Sequence, residues 1–473
     1  MAWVRRAASA LLVLTCSCGF FLAFSSALLA QYQEMPVDES VSGQKSSLGS
    51  GNPADIRNFA QKFYLARWTV KANLGKIHSF RKEMATDVAA LPASNKKICQ
   101  DTLVQLLSDM AQNERIQPAV RFNAALAVGM FNEREPGNGG SGDLGAPYMP
   151  AIGTLVSLFE AGFGADKAKA PDYVVLAVLI NMGRYAALGV PNADDKKKIV
   201  DVFIKTLEPS FGKERGYTPE VATWMQQKAV DGLAAFATPS DGGQGTVILD
   251  TFIRLLKDKS VDYAVQDSAL RGIGKMKYDG LADFDFKPVV EALVAHSVVM
   301  NMKEISFIDE ENIRFQVEMS GGAGRGGMGG MGGMGMMGGA APGMQGNNNS
   351  MLESITARIK YDMESLKIAI DGGNGRGGVI GNLSGDSNAD LKASLEALLA
   401  EIDKTNSYLD YGEQALASSF DIKKAPKIRR NKGEQVFMVD AIALKRYLND
   451  ETSTYQDLAD SLPPEETESA PAK

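Results

Sequence analysis

The side chains in this sequence best suited to soft-metal chemistry are methionines. Met328, Met331, Met334, Met336, Met337 and Met344 stand in a stretch that reads GRGGMGGMGGMGMMGG from Gly324 to Gly339. Thioether sulfurs are ligands for Cu(I), so a Cu(I)-handling protein is one reading of the chain. Against it, no His or Cys shares the stretch. From Gly321 to Gly346, 14 of 26 residues are glycine, and so much glycine makes an ordered cage entropically costly. The expected reading is a flexible tether whose methionines touch apolar surface transiently, with no metal site.

The same stretch contains GRGGMG from Gly324, and GNGRGG follows from Gly373. Both fit G-x-G-x-x-G. A dinucleotide loop works only where it follows a strand and opens a helix whose N-terminus receives the pyrophosphate. Neither match has that setting, so no cofactor is expected. Other catalytic material is sparse. His78 and His296 are the two histidines of the chain. There is no H-E-x-x-H, paired C-x-x-C, G-x-S-x-G or P-loop. Cys99 falls in the apolar pattern KKICQDTLVQLL and reads as a buried, inert thiol. The acids around Asp283 in DFDF are better explained as a helix start before Lys287 and Pro288. KKAPKIRRNK, from Lys423, holds six cations in ten residues and reads as a solvated segment, with docking onto an acidic partner or envelope polymer second. No catalytic residue is assigned.

The elements that would position such residues are mostly helical. The chain has 473 residues, 45% hydrophobic and 23% charged, an ordinary globular balance with room for several domains. The net charge is −7. Nucleic acid is therefore not expected as a partner, because phosphate binding needs a basic face. Residues 1–30 open with MAWVRR, continue with 24 uncharged residues and end on small residues. That order is a signal peptide, cleaved after Ala27 or Ala30, and implies export. An uncleaved membrane anchor is the alternative, since the run is long enough to span a bilayer. Cleavage would leave Cys99 as the lone cysteine, so stability must come from core burial and not from internal disulfides.

Residues 31–52 are polar and aperiodic and read as a disordered linker. From Ala54 a heptad stripe begins. Ile56, Phe63, Val70, Ile77 and Met84 fill one seam, and Phe59, Ala66, Asn73 and Phe80 fill the other. This predicts one amphipathic helix of about thirty residues, weakened at Gly75. Its polar side carries Arg57, Lys62, Arg67, Lys71, Lys76, Arg81 and Lys82. A solvated face explains these cations, and peripheral contact with a membrane is the second reading.

Four segments then repeat: VRFNAALAVGMF, YVVLAVLINMGRY, MQQKAVDGLAAF and VQDSALRGIGKM, which align on Ala124, Ala177, Ala229 and Ala269. Each follows another amphipathic segment, and Pro118, Pro171 and Pro219 mark three starts. The pattern predicts stacked helical hairpins whose small residues allow close helix approach. Over about Lys96 to Met302 these residues resemble the HEAT-repeat family, which implies an α-solenoid with a long binding surface. The spacing of 52 or 53 residues between the first three segments requires loop insertions such as REPGNGGSGDLGAP.

Domain bounds follow: a helical-repeat domain at 53–302, a β-hairpin at 303–319 from the alternation of Ile305, Phe307, Ile313, Phe315 and Val317, and the tether at 320–350. A helical hairpin at 351–418 with a glycine-rich loop at 372–387 comes next. A small strand-and-helix segment at 419–460 and a disordered tail at 461–473 complete the chain. The fold class is mainly α. The expected function is that of an exported, non-catalytic binding or scaffolding protein of the cell envelope with a protein partner. The alternatives are Cu(I) handling and an enzyme using carboxylates in a groove.

Overall fold

The computed structural model describes residues 32–136, 144–163, 169–243, 245–278, 284–322, 344–373, 377–383, 388–416 and 441–462. The chain divides into two compact units, Met1–Leu188 and Gly189–Lys473. It is mainly helical, as the periodicity predicts. Among the described residues the only sheet is a two-stranded antiparallel pair, β1 (Asn132–Arg134) with β2 (Ala146–Pro147).

In the first unit, residues 32–52 are not the disordered linker that composition predicts. They form two short 3-10 turns whose Val41 and Leu48 are buried. The strap is tied down by backbone bonds, Gln33 N–H to Arg115 O and Asp38 N–H to Lys62 O. The heptad seam beyond it is buried at Ile56, Phe63, Ile77 and Met84, but it does not run on one helix. Helix α1 (Pro53–Phe59) passes through a π-helical turn (Ala60–Tyr64) into α2 (Leu65–Thr69). The helix then stops at Val70, which is extended with ψ 122°, and a 3-10 stretch (Lys71–Lys76) leads into α3 (Ile77–Ala89). A β-branched residue ahead of a Gly75 surrounded by open space gives the helix little reason to continue.

Helices α4 (Ala93–Gln112) and α5 (Pro118–Val128) form one hairpin, and α6 (Ala151–Ala161) and α7 (Asp172–Leu188) the next. The hairpins pack first helix on first helix, α4 on α6, and second on second, α5 on α7. Pro118 occupies the first position of α5, and Pro171 accepts the first amide bonds of α7. Cys99 is buried in α4, and burial pushes its thiol up to about 12, so it is inert.

The second unit repeats the scheme. Helices α8 (Ala193–Thr206) and α10 (Pro219–Ala235) pair, with the short α9 (Phe211–Arg215) between them. Helix α11 (Val247–Lys257) pairs with α12 (Tyr263–Lys275), and α10 packs on α12. Ala124, Ala177, Ala229 and Ala269 are all fully buried. The structure thus gives two hairpins packed side by side in each unit.

Helix α13 (Lys287–Gly322) replaces the β-hairpin expected at 303–319. The alternation of Ile305 and Phe307 is incidental. The buried positions are Ser297, Met300, Asn301, Glu304 and Ile308, a helical spacing of three and four. No Gly, Pro or Asn-Gly interrupts the segment before Gly321, so nothing supplies the turn a hairpin needs. The start of α13 is as expected: Asp285 accepts from the Lys287 amide at 2.9 Å. Asp283 lies outside the described residues.

Helices α14 (Met344–Asp371) and α15 (Ala389–Tyr411) form the expected helical hairpin. Leu352, Ile355, Ile359, Leu366 and Ile370 are buried on α14, and Leu391, Leu395, Leu398 and Ile402 on α15. Lys367 and Asp403 bridge the two helices at 3.0 Å. The last helix, α16 (Ala441–Asp460), lies along α13 and also meets α15, where the Tyr408 and Tyr447 rings stack with centroids 3.8 Å apart. The strand pair expected before it and the KKAPKIRRNK segment fall outside the described residues, as does the tail beyond 462.

Candidate functional site

The strongest concentration of perturbed charge lies in the second unit, where α12, α13 and α14 meet. Each contributes polar residues at positions its helical stripe would otherwise fill with apolar ones. On α14 the stripe runs Ile355, Ile359, Asp362, Leu366, Ile370, so Asp362 is carried inward by its spacing. On α13, Glu304 sits between Met300 and Ile308 in the same way. On α12, Asp267 lies beside Gln266 two residues before the buried Ala269. Exposure is 4% for Asp267, 1% for Glu304 and 1% for Asp362.

Glu304 is satisfied. Arg358 of α14 holds it with two parallel bonds, Nε to Oε1 and Nη2 to Oε2, both 2.5 Å. The guanidinium lies 4.0 Å over the Phe307 ring and 5.6 Å over Tyr263. Asp362 is different. Among the described residues no N–H or hydroxyl donor reaches either of its oxygens, and its neighbour is the carboxyl of Asp267. Two carboxyls in contact need a proton between them. Burial drives both groups above the usual carboxylate range, and their mutual repulsion adds to it at Asp362. The pair holds one proton at neutral pH and titrates as a unit.

Cations ring the pair. Arg271 donates from Nε to the Ser365 hydroxyl at 3.0 Å and lies 4.5 Å over the Tyr361 ring. Lys303 bonds the Val261 carbonyl and the Gln266 side chain, each at 2.8 Å, with its ammonium 4.5 Å over Tyr263. Desolvation lowers the Lys303 pKa, opposed by Asp262, Asp362, Asp258 and Asp267. His296, one face of α13 earlier, is wholly buried and held down to about 4 by desolvation and the Lys303 charge. It is a neutral core histidine.

Above this network is an open groove of about 410 Å³. Tyr263, Val299, Met302 and Phe307 supply its apolar lining, and Lys259, Lys303, Arg358, Ser306 and Glu310 its polar one. Met302 is 46% exposed. Asp267, Glu304 and Asp362 do not line it. The groove joins an apolar lining to three cations and one carboxylate, Glu310, and the carboxyls that hold a proton are not part of its lining. A second groove, about 290 Å³ in the first unit, is lined by Asp101, Gln105, Asp109, Tyr148 and Ser157. There Asp101 is already engaged by the Tyr148 hydroxyl and Lys97.

The sequence candidates are not brought into this site. Met344 opens α14, and Met328, Met331, Met334, Met336 and Met337 lie outside the described residues. In the second glycine motif, Gly373 and Gly378 have φ of 73° and 64°, in a loop that follows α14. His78 is exposed, near Arg81. Among the described residues no group of three His, Cys, Asp or Glu could hold a metal ion, and no helix is long and apolar enough to cross a membrane. Sequence reasoning does not single out Asp267, Glu304 or Asp362, because a lone carboxylate on a helix ordinarily marks a solvated position. The legible signal was the gap in the α14 stripe between Ile359 and Leu366. Comparison with known proteins adds no relative: no family model, no curated protein and no solved structure matches this chain.

Proposed function

We propose that the chain is an exported binding or scaffolding protein, and that a protein partner docks in the groove between the start of α12 and the flanks of α13 and α14. The observation that supports this reading is the groove's chemistry. An apolar floor with a half-exposed methionine suits an apolar anchor residue. Lys259, Lys303 and Arg358 at its edge suit a carboxylate beside that anchor. The charge network below adds rigidity, since Arg358 is fixed by two bonds to Glu304 before any partner arrives. A preorganised cation loses less entropy on binding than a free side chain.

The alternative of a carboxylate enzyme requires an acid or base within hydrogen-bond reach of a substrate. The carboxyls with raised affinity for protons are not part of the groove's lining, which favours the binding reading. The Cu(I) reading concerns a tract outside the described residues, and a Cu(I) titration of the whole chain decides it.

The test is capture from the envelope fraction of the producing cell with wild type, Met302→Asp and Trp224→Asp. Trp224 is an exposed residue of α10, outside the groove. The proposal expects the same partner on wild type and Trp224→Asp and its loss on Met302→Asp, with circular dichroism unchanged. Equal capture by Met302→Asp overturns it.

A further inference from the structure

We propose that the contact between Asp267 and Asp362 is a proton-operated latch, and that loss of its proton lets α14 part from α12 and opens one wall of the neighbouring groove. The latch stands on the packing of these helices alone. Its effect on a docked protein rests on the groove being a docking site.

Helices α12 and α14 meet at four successive rungs. The Arg358 guanidinium lies 5.6 Å over the Tyr263 ring. Asp267 is next to Asp362, and Arg271 bonds the Ser365 hydroxyl at 3.0 Å. Gly274 meets the Ile368 backbone with no room for a methyl carbon. On each helix these residues recur every three or four places, the spacing of a single face. A cation on a ring, a hydrogen bond and close packing hold the helices together at three rungs. The remaining rung sets one acid against another. One turn along from it, Tyr263 and Arg358 both line the groove, so the pair and the groove share the same two helices.

Only a proton makes the acid rung attractive, and its place is Asp362. Burial raises both carboxyls, but at Asp267 the Ser365 hydroxyl and the Arg271 charge work against it. At Asp362 burial is joined by repulsion from Asp267 and Glu304, with Arg358 opposing. Both Asp362 oxygens lack a donor among the described residues. The cations nearby are already engaged. Arg358 holds Glu304, Arg271 holds Ser365, and Lys303 holds the Val261 carbonyl and Gln266. Asp262, at the start of α12, repels Asp267 further. The acids that α15 turns toward α14 are paired, Asp403 with Lys367 and Asp410 with Lys360.

A second charge on this rung is therefore buried without a partner, which is costly. The docked arrangement holds a proton that the parted one releases, so docking is favoured at low pH and lost as pH rises. The Gly274 rung is packed too closely to slide. Relief comes at the opposite end, where α14 leaves α12 and the Arg358 guanidinium leaves the Tyr263 ring.

The test is amide hydrogen exchange of the full chain, wild type beside Asp362→Asn, at pH 6, 7, 8 and 9. The intrinsic pH dependence of exchange cancels between the two proteins. Amides of residues 355–370 should exchange faster in wild type than in the variant, with a ratio that grows by up to about tenfold per pH unit for one proton. Helices α8 and α10 should show no such growth. Asp267→Asn should behave like Asp362→Asn, which keeps the test sound where one variant fails to fold. A ratio that stays flat with pH overturns the latch. So does one that grows equally in α8 and α10, because the whole unit is then loosening. The groove is read separately, by photocrosslinking from position 302 in the envelope fraction at pH 6 and pH 9. Adduct yield should fall at pH 9 in the otherwise wild-type chain and hold in Asp362→Asn. An equal fall in both overturns control of the groove by the pair. No adduct at either pH, with the exchange ratio growing as expected, refutes the docking reading and leaves the latch in place.

Discussion

Asp362→Asn tests the shared proton of the buried pair. In the unfolded chain each carboxyl titrates near 3.9. In the fold, Asp362 and Asp267 both release their protons at higher pH, because burial and mutual repulsion penalise the second charge. The sign follows directly. A raised folded pKa means that the folded state holds a proton the unfolded state has lost. Stability is therefore greatest below the unfolded value and declines as pH rises toward the folded one. One such proton changes stability by about 1.4 kcal/mol per pH unit inside the window. Between pH 5 and pH 7 wild type should lose about 2–3 kcal/mol from this pair. Asparagine supplies N–H donors to Asp267 without titrating, so the variant keeps only the smaller loss that burial of Asp267 imposes. The assay is urea unfolding of both proteins at pH 5, 6, 7 and 8, read as the difference between them. Groups that do not face the pair, His296 included, affect both equally and cancel. The expected result is a difference that grows with pH in favour of Asp362→Asn. Parallel pH profiles would refute the shared proton.

Further outcomes are expected elsewhere. His296 is depressed from 6.5 to about 4, so its contribution is complete above pH 6.5. It is lost as pH falls toward 4, at a cost of about 3 kcal/mol that His296→Gln should remove from the acid limb. Ala124→Leu and Ala269→Leu should each destabilise by about 1–3 kcal/mol through overpacking, measured as a fall in Tm of the corresponding unit. Gly274→Ala should do the same for the joint of α12 and α14, because its added methyl carbon would stand 2.1 Å from the Ile368 carbonyl oxygen. Faster hydrogen exchange in α14 would report it. Glu304→Gln should cost about 2–3 kcal/mol by urea unfolding, less than a fully buried pair because the Arg358 side chain is 28% exposed.

Much of the helical layout was legible because a hairpin announces itself twice, in the apolar stripe and in its caps. The repeat alanines mark helix faces where the backbones come close, and proline marks two of the second-helix starts outright. Two misreadings have a shared cause. Residues 303–319 read as alternating because Ile305, Phe307 and Ile313 keep the spacing without being buried, while Glu304, one of the residues that face inward, is charged. Residues 31–52 read as a linker because, among those described, only Val41 and Leu48 are buried, too few to make a period, and the order of 32–52 comes from backbone bonds to Lys62 and Arg115. The break at Val70 was missed because the heptad seam stays buried on both sides of it. The candidate site was illegible for a related reason. A charged residue in a stripe reads as an interruption, and only the fold shows that Asp267 of α12 meets Asp362 of α14 across about a hundred residues of sequence.

The account's central claim is that the groove over this network receives a protein. A photocrosslinking amino acid placed at Met302 in the producing cell tests it most directly, with the same substitution at Trp224 as the comparison. The account predicts a discrete higher-mass adduct containing a second protein from position 302, absent from position 224 and lost when Lys303 and Lys259 are both changed to Glu. No adduct from 302, or the same adducts from both positions, would contradict it.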